Sequence, residues 1–82
     1  MAQKQKISLS SMKNGQSGII MEIDGGKGML ARLEALGVRT GSRIIKKSGF
    51  FGAGPVIVTA GNTDVAIGHG MASRIMVEVD SL

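Results

Sequence analysis

The sequence predicts a mainly β protein, a small closed barrel of five to six antiparallel strands with one α-helix inserted between the second and third strands. Three observations carry this prediction. The chain has 82 residues, which leaves room for a single domain over residues 1–82. Short aliphatic runs alternate with polar residues, as in strands that bury one face. Thirteen glycines, about twice the usual share, supply the turns and bends that short curved strands need.

The chain begins with a polar segment, residues 1–6, that we expect to be frayed. The first strand follows at residues 7–9 and leads into a turn over residues 10–15, where Asn14-Gly15 is a strong turn signal. The second strand covers residues 16–24 and ends at the glycines that follow it.

The second strand carries apolar residues on both of its faces. Ile19, Met21 and Ile23 alternate at period two, which predicts that they share the buried face. Ile20 is apolar as well, so we expect both faces of this strand to be partly covered.

Residues 27–36 are predicted to form the one helix. Met29, Leu33 and Leu36 recur at helical spacing, and no β-branched residue interrupts the segment. Gly37 lies where a left-handed C-terminal cap is expected. A helix of about three turns is too short to be stable alone in water, so its apolar stripe must pack on the barrel.

The third strand is centred on Ile44-Ile45 and covers residues 42–47. A glycine-rich loop follows over residues 48–54 and contains the pair Phe50-Phe51. Pro55 then opens the next strand, at a position where a missing N–H is tolerated.

The C-terminal half carries the clearest local signal. Strand-like runs at residues 56–60 and 63–67 are separated by Gly61-Asn62, which predicts a tight hairpin. Residues 68–73 are predicted to form a bend or a single helical turn, and residues 74–79 the last strand. Closure into a barrel would protect such short strands at their edges, and the closest architecture is the SH3-like barrel.

The composition excludes several classes of function. The chain has no cysteine and one histidine, His69, so disulfides, thiolate metal sites and thiol nucleophiles are ruled out. A single imidazole with scattered carboxylates is a weak metal signal, and it leaves one candidate base for nucleophilic catalysis. We therefore expect no catalytic residue, no bound metal, no cofactor and no enzymatic activity.

The hydropathy of the chain bears on its location. No apolar run is long enough to span a bilayer, and the N-terminal segment does not have the apolar core of a signal peptide. We expect a cytoplasmic protein whose connection with a membrane is indirect.

Partner binding remains as the class of function. The candidate partner-binding residues combine loop aromatics, basic side chains and an adaptable methionine: Phe50, Phe51, Arg39, Arg43, Lys46, Lys47, Arg32 and Met71. At least one phenylalanine ring is expected to be exposed as an interface anchor, unless both rings cap an open end of the barrel. The basic residues are interpreted either as a footprint for an acidic partner or nucleic acid, or as an ordinary solvated face.

Several motifs occur in an order that is typical of one family. They are Leu33-x-x-Leu36-Gly37-Val38, then Gly54-Pro55-Val56, then Ala72-x-x-Ile75. In this order the chain resembles, over residues 7–79, the FeoA family of ferrous iron transport and the homologous C-terminal barrel of repressors of the diphtheria-toxin-repressor type.

The resemblance implies an SH3-like barrel that acts as an accessory or regulatory protein in bacterial ferrous iron transport. The implied partner is the cytosolic part of the FeoB permease, which carries a GTP-binding domain. The surface of helix 27–36 is a further candidate for this contact, and a homodimer is left open. Two alternatives are a small basic barrel that binds nucleic acid, disfavoured by the shortage of stacking aromatics, and a metal-linked regulatory module.

Overall fold

The computed structural model describes residues 4–49 and 54–80. Six strands share one antiparallel sheet: β1 (Lys4–Ser8), β2 (Ser17–Ile23), β3 (Arg43–Ser48), β4 (Val56–Ala60), β5 (Thr63–Ile67) and β6 (Ile75–Asp80). Two helices accompany them: α1 (Lys27–Ala35) and α2 (His69–Ala72), with a 3-10 turn at Leu9–Ser11. The predicted class, mainly β with a helix between the second and third strands, is confirmed, and α2 is the single helical turn allowed for within residues 68–73.

The sheet follows the order β1-β6-β2-β3-β4-β5. Within the described residues β1 and β5 are therefore its two edges, and the predicted closure of the sheet by strand pairing is not observed there. Buried aliphatic side chains from β2 to β6 form one cluster with the helices and turns, and Ile7 of β1 packs against it. The sheet thus curls around a single core, with Val58 and Val77 among its fully buried side chains.

The first strand begins earlier than the sequence predicted. Residues 4–6, expected to be frayed, pair with β6 in the register Lys4 opposite Asp80 and Lys6 opposite Glu78. Opposite charges that face each other across strands stabilise such a pairing. The local sequence of this segment is that of a polar tail. Its strand character depends on pairing with the other end of the chain, which the local sequence does not show.

The face assignment of β2 is corrected by a register shift. Gly18 and Ile20 face the core, while Met21 is 44% exposed. The pairing with β6 shifts between Ile20 and Glu22, as in a β-bulge, where one extra residue changes the phase of the strand. The prediction that Ile19 and Met21 share the buried face is therefore wrong.

Helix α1 ends at the left-handed glycine that its sequence predicted, in a Schellman motif. Gly37 has a φ of +89°, its N–H donates to the carbonyl of Glu34 at 3.0 Å, and the N–H of Val38 donates to that of Leu33 at 2.8 Å. Leu33 and Val38 are both buried. Leu36, predicted to belong to the buried stripe, follows the last helical residue and is 42% exposed.

The hairpin of β4 and β5 has the predicted bounds. Gly61 has a φ of +63°, and no described non-glycine residue has a positive φ, so the turn places its left-handed residue first, as in type II′. The turn fixes the register from Ala60 opposite Thr63 to Val56 opposite Ile67.

Candidate functional site

The outward face of β3 is the most prominent surface near the predicted basic residues. Arg43, Ile45 and Lys47 alternate on this face and are exposed, while Ile44 and Lys46 face the core. Ile45 is 42% exposed and, with Met21 and Leu36, is one of the three exposed large apolar side chains of the described residues. This residue and its basic neighbours could anchor a partner protein.

Neighbouring strands extend this surface. Ile45 lies opposite Ser17 of β2 and opposite Thr59 of β4. Arg43 lies opposite Ile19, whose side chain is half-buried. We refer to Ile19, Arg43, Ile45 and Lys47 as the β3 strip. It combines two aliphatic side chains with two basic ones, a composition suited to a protein interface with an apolar centre and a charged rim.

The two basic side chains of the β3 strip differ in their surroundings. Lys47 Nζ lies 3.1 Å from Asp64 Oδ2 on β5. Arg43 donates from Nη2 to the hydroxyl of Ser17 at 3.4 Å, and within the described residues it makes no ion pair. The guanidinium of Arg43 can therefore take a carboxylate of a partner without breaking an existing pair.

The carboxylate of Asp64 accepts hydrogen bonds from side chains on two other strands, β4 and β3. Thr59 donates its hydroxyl to Asp64 Oδ1 at 2.7 Å, and Lys47 donates to Oδ2. These two hydrogen bonds, the one from Thr59 first, lower the pKa of the Asp64 carboxyl, and the positive charge of Lys47 adds to the effect. The carboxylate thereby links β5 to β3 across β4.

Lys46 is not part of the exposed basic set that the sequence predicted. Its side chain is 6% exposed, and Nζ donates to the carbonyl oxygen of Met12 at 2.6 Å. The alternation of β3 explains the error, because Lys46 lies opposite Val58, on the core side of the sheet. A buried amino group needs a hydrogen-bond partner, and the carbonyl of Met12 provides one.

The remaining predicted residues do not gather at one place. Arg32 is exposed on α1, and Arg39 is exposed after this helix. Met71 of α2 is half-buried and packs against the core. Phe50 and Phe51 lie outside the described residues. The structure therefore brings together Arg43 and Lys47 of the predicted set.

Ile45 and Ile19 are members of the β3 strip that the sequence did not predict as surface residues, since Ile19 was assigned to the buried face of β2. Ile44 and Ile45 are both apolar, so hydrophobic periodicity alone could not show which of these side chains points outward. The phase of β3 follows from its strand pairing, in which Ile44 lies opposite Gly18 and Ala60 on the core side, and this long-range pairing leaves no local signal in the sequence.

Residues 4–49 and 54–80 contain no group of three or more histidine, aspartate or glutamate side chains that could hold a metal ion. His69 is exposed at the start of α2. No helix there has the length and apolar character needed to cross a bilayer.

The curled antiparallel sheet with one core and an aliphatic and basic outer strip defines a small barrel domain of the SH3-like class. The profile of the FeoA domain matches residues 7–79. The chain belongs to the FeoA domain family.

Relatives and solved structures agree with this assignment. A Methanocaldococcus jannaschii protein named "Putative Fe(2+) transport protein A" is 38% identical over 72 residues, covering 85% of this chain and 83% of that protein. The crystal structure of an iron uptake regulatory protein (FeoA) superposes with a TM-score of 0.84 at 33% identity, covering 92% of this chain and 100% of the other.

Two further solved structures are similar in fold to this chain. A zinc complex of FeoA from Stenotrophomonas maltophilia, described as an SH3 domain protein, has a TM-score of 0.69 at 25% identity and covers 87% of this chain and 88% of the other. A manganese-dependent transcriptional repressor shares the fold with a TM-score of 0.81 at 22% identity; 96% of this chain matches 44% of the repressor. The predicted resemblance to both groups is confirmed.

Proposed function

We propose that this chain is an accessory protein of ferrous iron transport that works in the cytoplasm by binding the cytosolic part of a FeoB-type permease. Membership of the FeoA domain family supports the transport role, as do relatives whose names refer to Fe(2+) transport and iron uptake. In this role the chain acts through protein contacts and not through catalysis.

The exposed Ile45 at the centre of the β3 strip is the observation that carries the proposal. Removing apolar surface from water is favourable. Burying the exposed side chain of Ile45 against a partner therefore contributes free energy to binding. Arg43 and Lys47 flank it on the same face and can steer an acidic surface into register. Binding energy in protein interfaces commonly concentrates on such a central anchor.

The distribution of basic residues favours a protein partner over nucleic acid. Lys46 is buried and Lys47 is engaged by Asp64, so the sequence cluster of four basic residues leaves Arg39 and Arg43 available in the described structure. A phosphate-binding track needs several unpaired basic side chains along one path. A gel shift with mixed RNA and DNA that weakens steeply with salt would favour the nucleic-acid alternative.

The test is a binding titration of the whole chain against the cytosolic domain of the permease and against the assembled permease in detergent, each with and without GTP. Ile45→Asp should weaken binding by about thirtyfold, since loss of a central anchor costs about 2 kcal/mol. Ile45→Val should remain close to wild type. Ala66→Asp, an exposed position on β5, is the control for added charge.

The outcomes separate clearly. Binding that depends on Ile45 and tolerates Ala66→Asp supports the proposal. Absence of binding to both forms of the permease, in either nucleotide state, contradicts it.

A further inference from the structure

A groove of about 540 Å³ lies beside β1, and none of the four residues of the β3 strip lines it. It is lined by Gln5 and Ile7 of β1, by Ser11 and residues 13–16, and by Asp80. Ile7 is half-buried and packs against the core, so it gives the groove an apolar floor.

The strand that borders this groove has one partner. β1 pairs with β6 and, within the described residues, forms an edge of the sheet. The other edge of a strand in this position presents backbone N–H and C=O groups that can pair with another chain. An extended segment that adds to such an edge gains main-chain hydrogen bonds and places alternate side chains in adjoining pockets.

The opposite wall of the groove is held in place by Lys46. The Lys46 Nζ donates to the carbonyl of Met12 at 2.6 Å. Its backbone N–H donates to the carbonyl of Gln16 at 2.9 Å, and its carbonyl accepts from the N–H of Gly15 at 2.6 Å. A wall fixed by three hydrogen bonds to one residue costs little ordering free energy when a ligand binds.

The existing partner of β1 shows which side chains this strand accepts. On the outer face Lys4 lies opposite Asp80 and Lys6 opposite Glu78. On the core side the partners are valines, with Val77 opposite Ile7. A second strand with acidic residues alternating with aliphatic ones would repeat this pattern on the other edge.

The two lysines remain accessible to further carboxylates. Lys4 Nζ lies 3.6 Å from Glu78 and Lys6 Nζ lies 3.0 Å from Glu22, while the lysine side chains are 65% and 53% exposed. Ion pairs this exposed contribute little to stability, so the amino groups can turn toward an added strand at small cost.

A second copy of this chain is disfavoured at the same edge in the two registers that place a lysine opposite a lysine. Antiparallel pairing of β1 with β1 centred on Gln5 places Lys4 opposite Lys6, and pairing centred on Lys6 places that lysine opposite its own copy. Like charges directly opposite each other destabilise strand pairing. Lysines on an edge strand are a common protection against self-association.

We propose that the open edge of β1 binds an extended segment of a partner protein in which acidic residues alternate with aliphatic ones, with the aliphatic side chains in the groove beside Ile7. This inference goes beyond the proposed function, because it concerns a different surface and does not depend on whether the permease binds the β3 strip.

The test uses the whole chain labelled with nitrogen-15 and followed by NMR. The probe is a blocked hexapeptide of alternating valine and glutamate, which should shift the backbone amide signals of Gln5, Lys6, Ile7 and Gly15. A peptide with lysine in place of glutamate should bind about tenfold more weakly, since attractive cross-strand pairs become repulsive ones. A glutamate peptide with methylated backbone nitrogens on its pairing edge should not bind, because it cannot donate to β1.

Several results would overturn the proposal. They are the absence of shifts in β1 at millimolar peptide, equal binding of the glutamate and lysine peptides, undiminished binding of the methylated peptide, and shifts of β1 that depend on protein concentration without any peptide. The peptide experiment contains no permease, so its failure leaves the test of the proposed function unaffected.

Discussion

Gly18 has less space than most glycines of the described chain. It lies on β2 opposite Val79 and Ile44, and a Cβ placed there would lie 2.5 Å from Val77 Cγ1 and 2.7 Å from the carbonyl oxygen of Glu78. The second contact is with backbone, which cannot move aside without disturbing the pairing of β2 and β6. This glycine allows the two strands to pack closely at the core.

We predict that Gly18→Ala lowers the free energy of unfolding by about 1–3 kcal/mol, the usual cost of overpacking. Chemical denaturation followed by circular dichroism measures it. The matched control is Gly28→Ala on α1, where a Cβ meets no atom within 4 Å and alanine favours the helix by up to about 1 kcal/mol. If both variants change stability alike, the close packing at Gly18 is not the cause.

Asp64 gives a prediction about pH. Its pKa is lowered by the hydroxyl of Thr59 and by Lys47, so the folded state holds this proton less tightly than the unfolded state. The resulting stability is present above the pKa of the unfolded chain and is lost as the pH falls through the lowered pKa of the folded one. Because the carboxyl is exposed, the effect on global stability is small, and the titration itself is the better readout.

We expect the NMR titration midpoint of the Asp64 carboxyl carbon to lie below the ordinary aspartate value and to rise in Thr59→Val. The valine keeps the shape of threonine and removes the hydroxyl donor. Thr63→Val serves as the control on the neighbouring strand, since Thr63 makes no side-chain hydrogen bond to Asp64. A midpoint that does not move in Thr59→Val contradicts the assigned cause.

At the scale of elements, Lys46 joins the turn at residues 12–16 to β3. We predict that Lys46→Met lowers the free energy of unfolding by about 1–3 kcal/mol, because the carbonyl of the buried Met12 loses its partner. Methionine keeps most of the stem, so lost packing contributes little.

The adjacent Lys47→Met is the matched control for this substitution. Lys47 is exposed and makes a surface ion pair, whose removal costs at most about 1 kcal/mol. Thermal unfolding of both variants provides the comparison. A Lys46→Met protein as stable as Lys47→Met would show that the hydrogen bond to Met12 contributes nothing to the fold.

Elements with strong local signals were predicted well from the sequence. The β4–β5 hairpin has its predicted bounds because Gly61-Asn62 sets the turn and the register together. The end of α1 follows from Gly37. The start of β1 and the faces of β2 were not predicted, since both depend on pairing with β6 across the whole length of the chain.

The candidate surface was predicted in part, for a related reason. Arg43 and Lys47 were placed correctly on the outside, but Lys46 was not, because a lysine at a core position can be recognised only when its partner carbonyl is known. Ile45 was not predicted to be exposed, because an isoleucine in a strand is normally assigned to the core unless the strand register shows which face it occupies.

At the scale of the whole molecule, the described chain keeps its inside apolar and its outer face charged. The formal net charge is +4, and three outer-face lysines, Lys4, Lys6 and Lys47, are paired with carboxylates. The core side contains aliphatic residues with one buried lysine. On the outer face, the β3 strip combines an exposed apolar side chain, Ile45, with the guanidinium of Arg43, which makes no ion pair within the described residues.

Binding at the β3 strip can be mapped directly by NMR on the labelled chain while the cytosolic domain of the permease is added. We predict that the largest NMR shifts and signal losses fall on Ile19, Arg43, Ile45 and Lys47, and that Ile45→Asp strongly reduces them at equal concentrations. Amide signals of all four residues that stay unchanged at saturating permease would show that the β3 strip is not the contact.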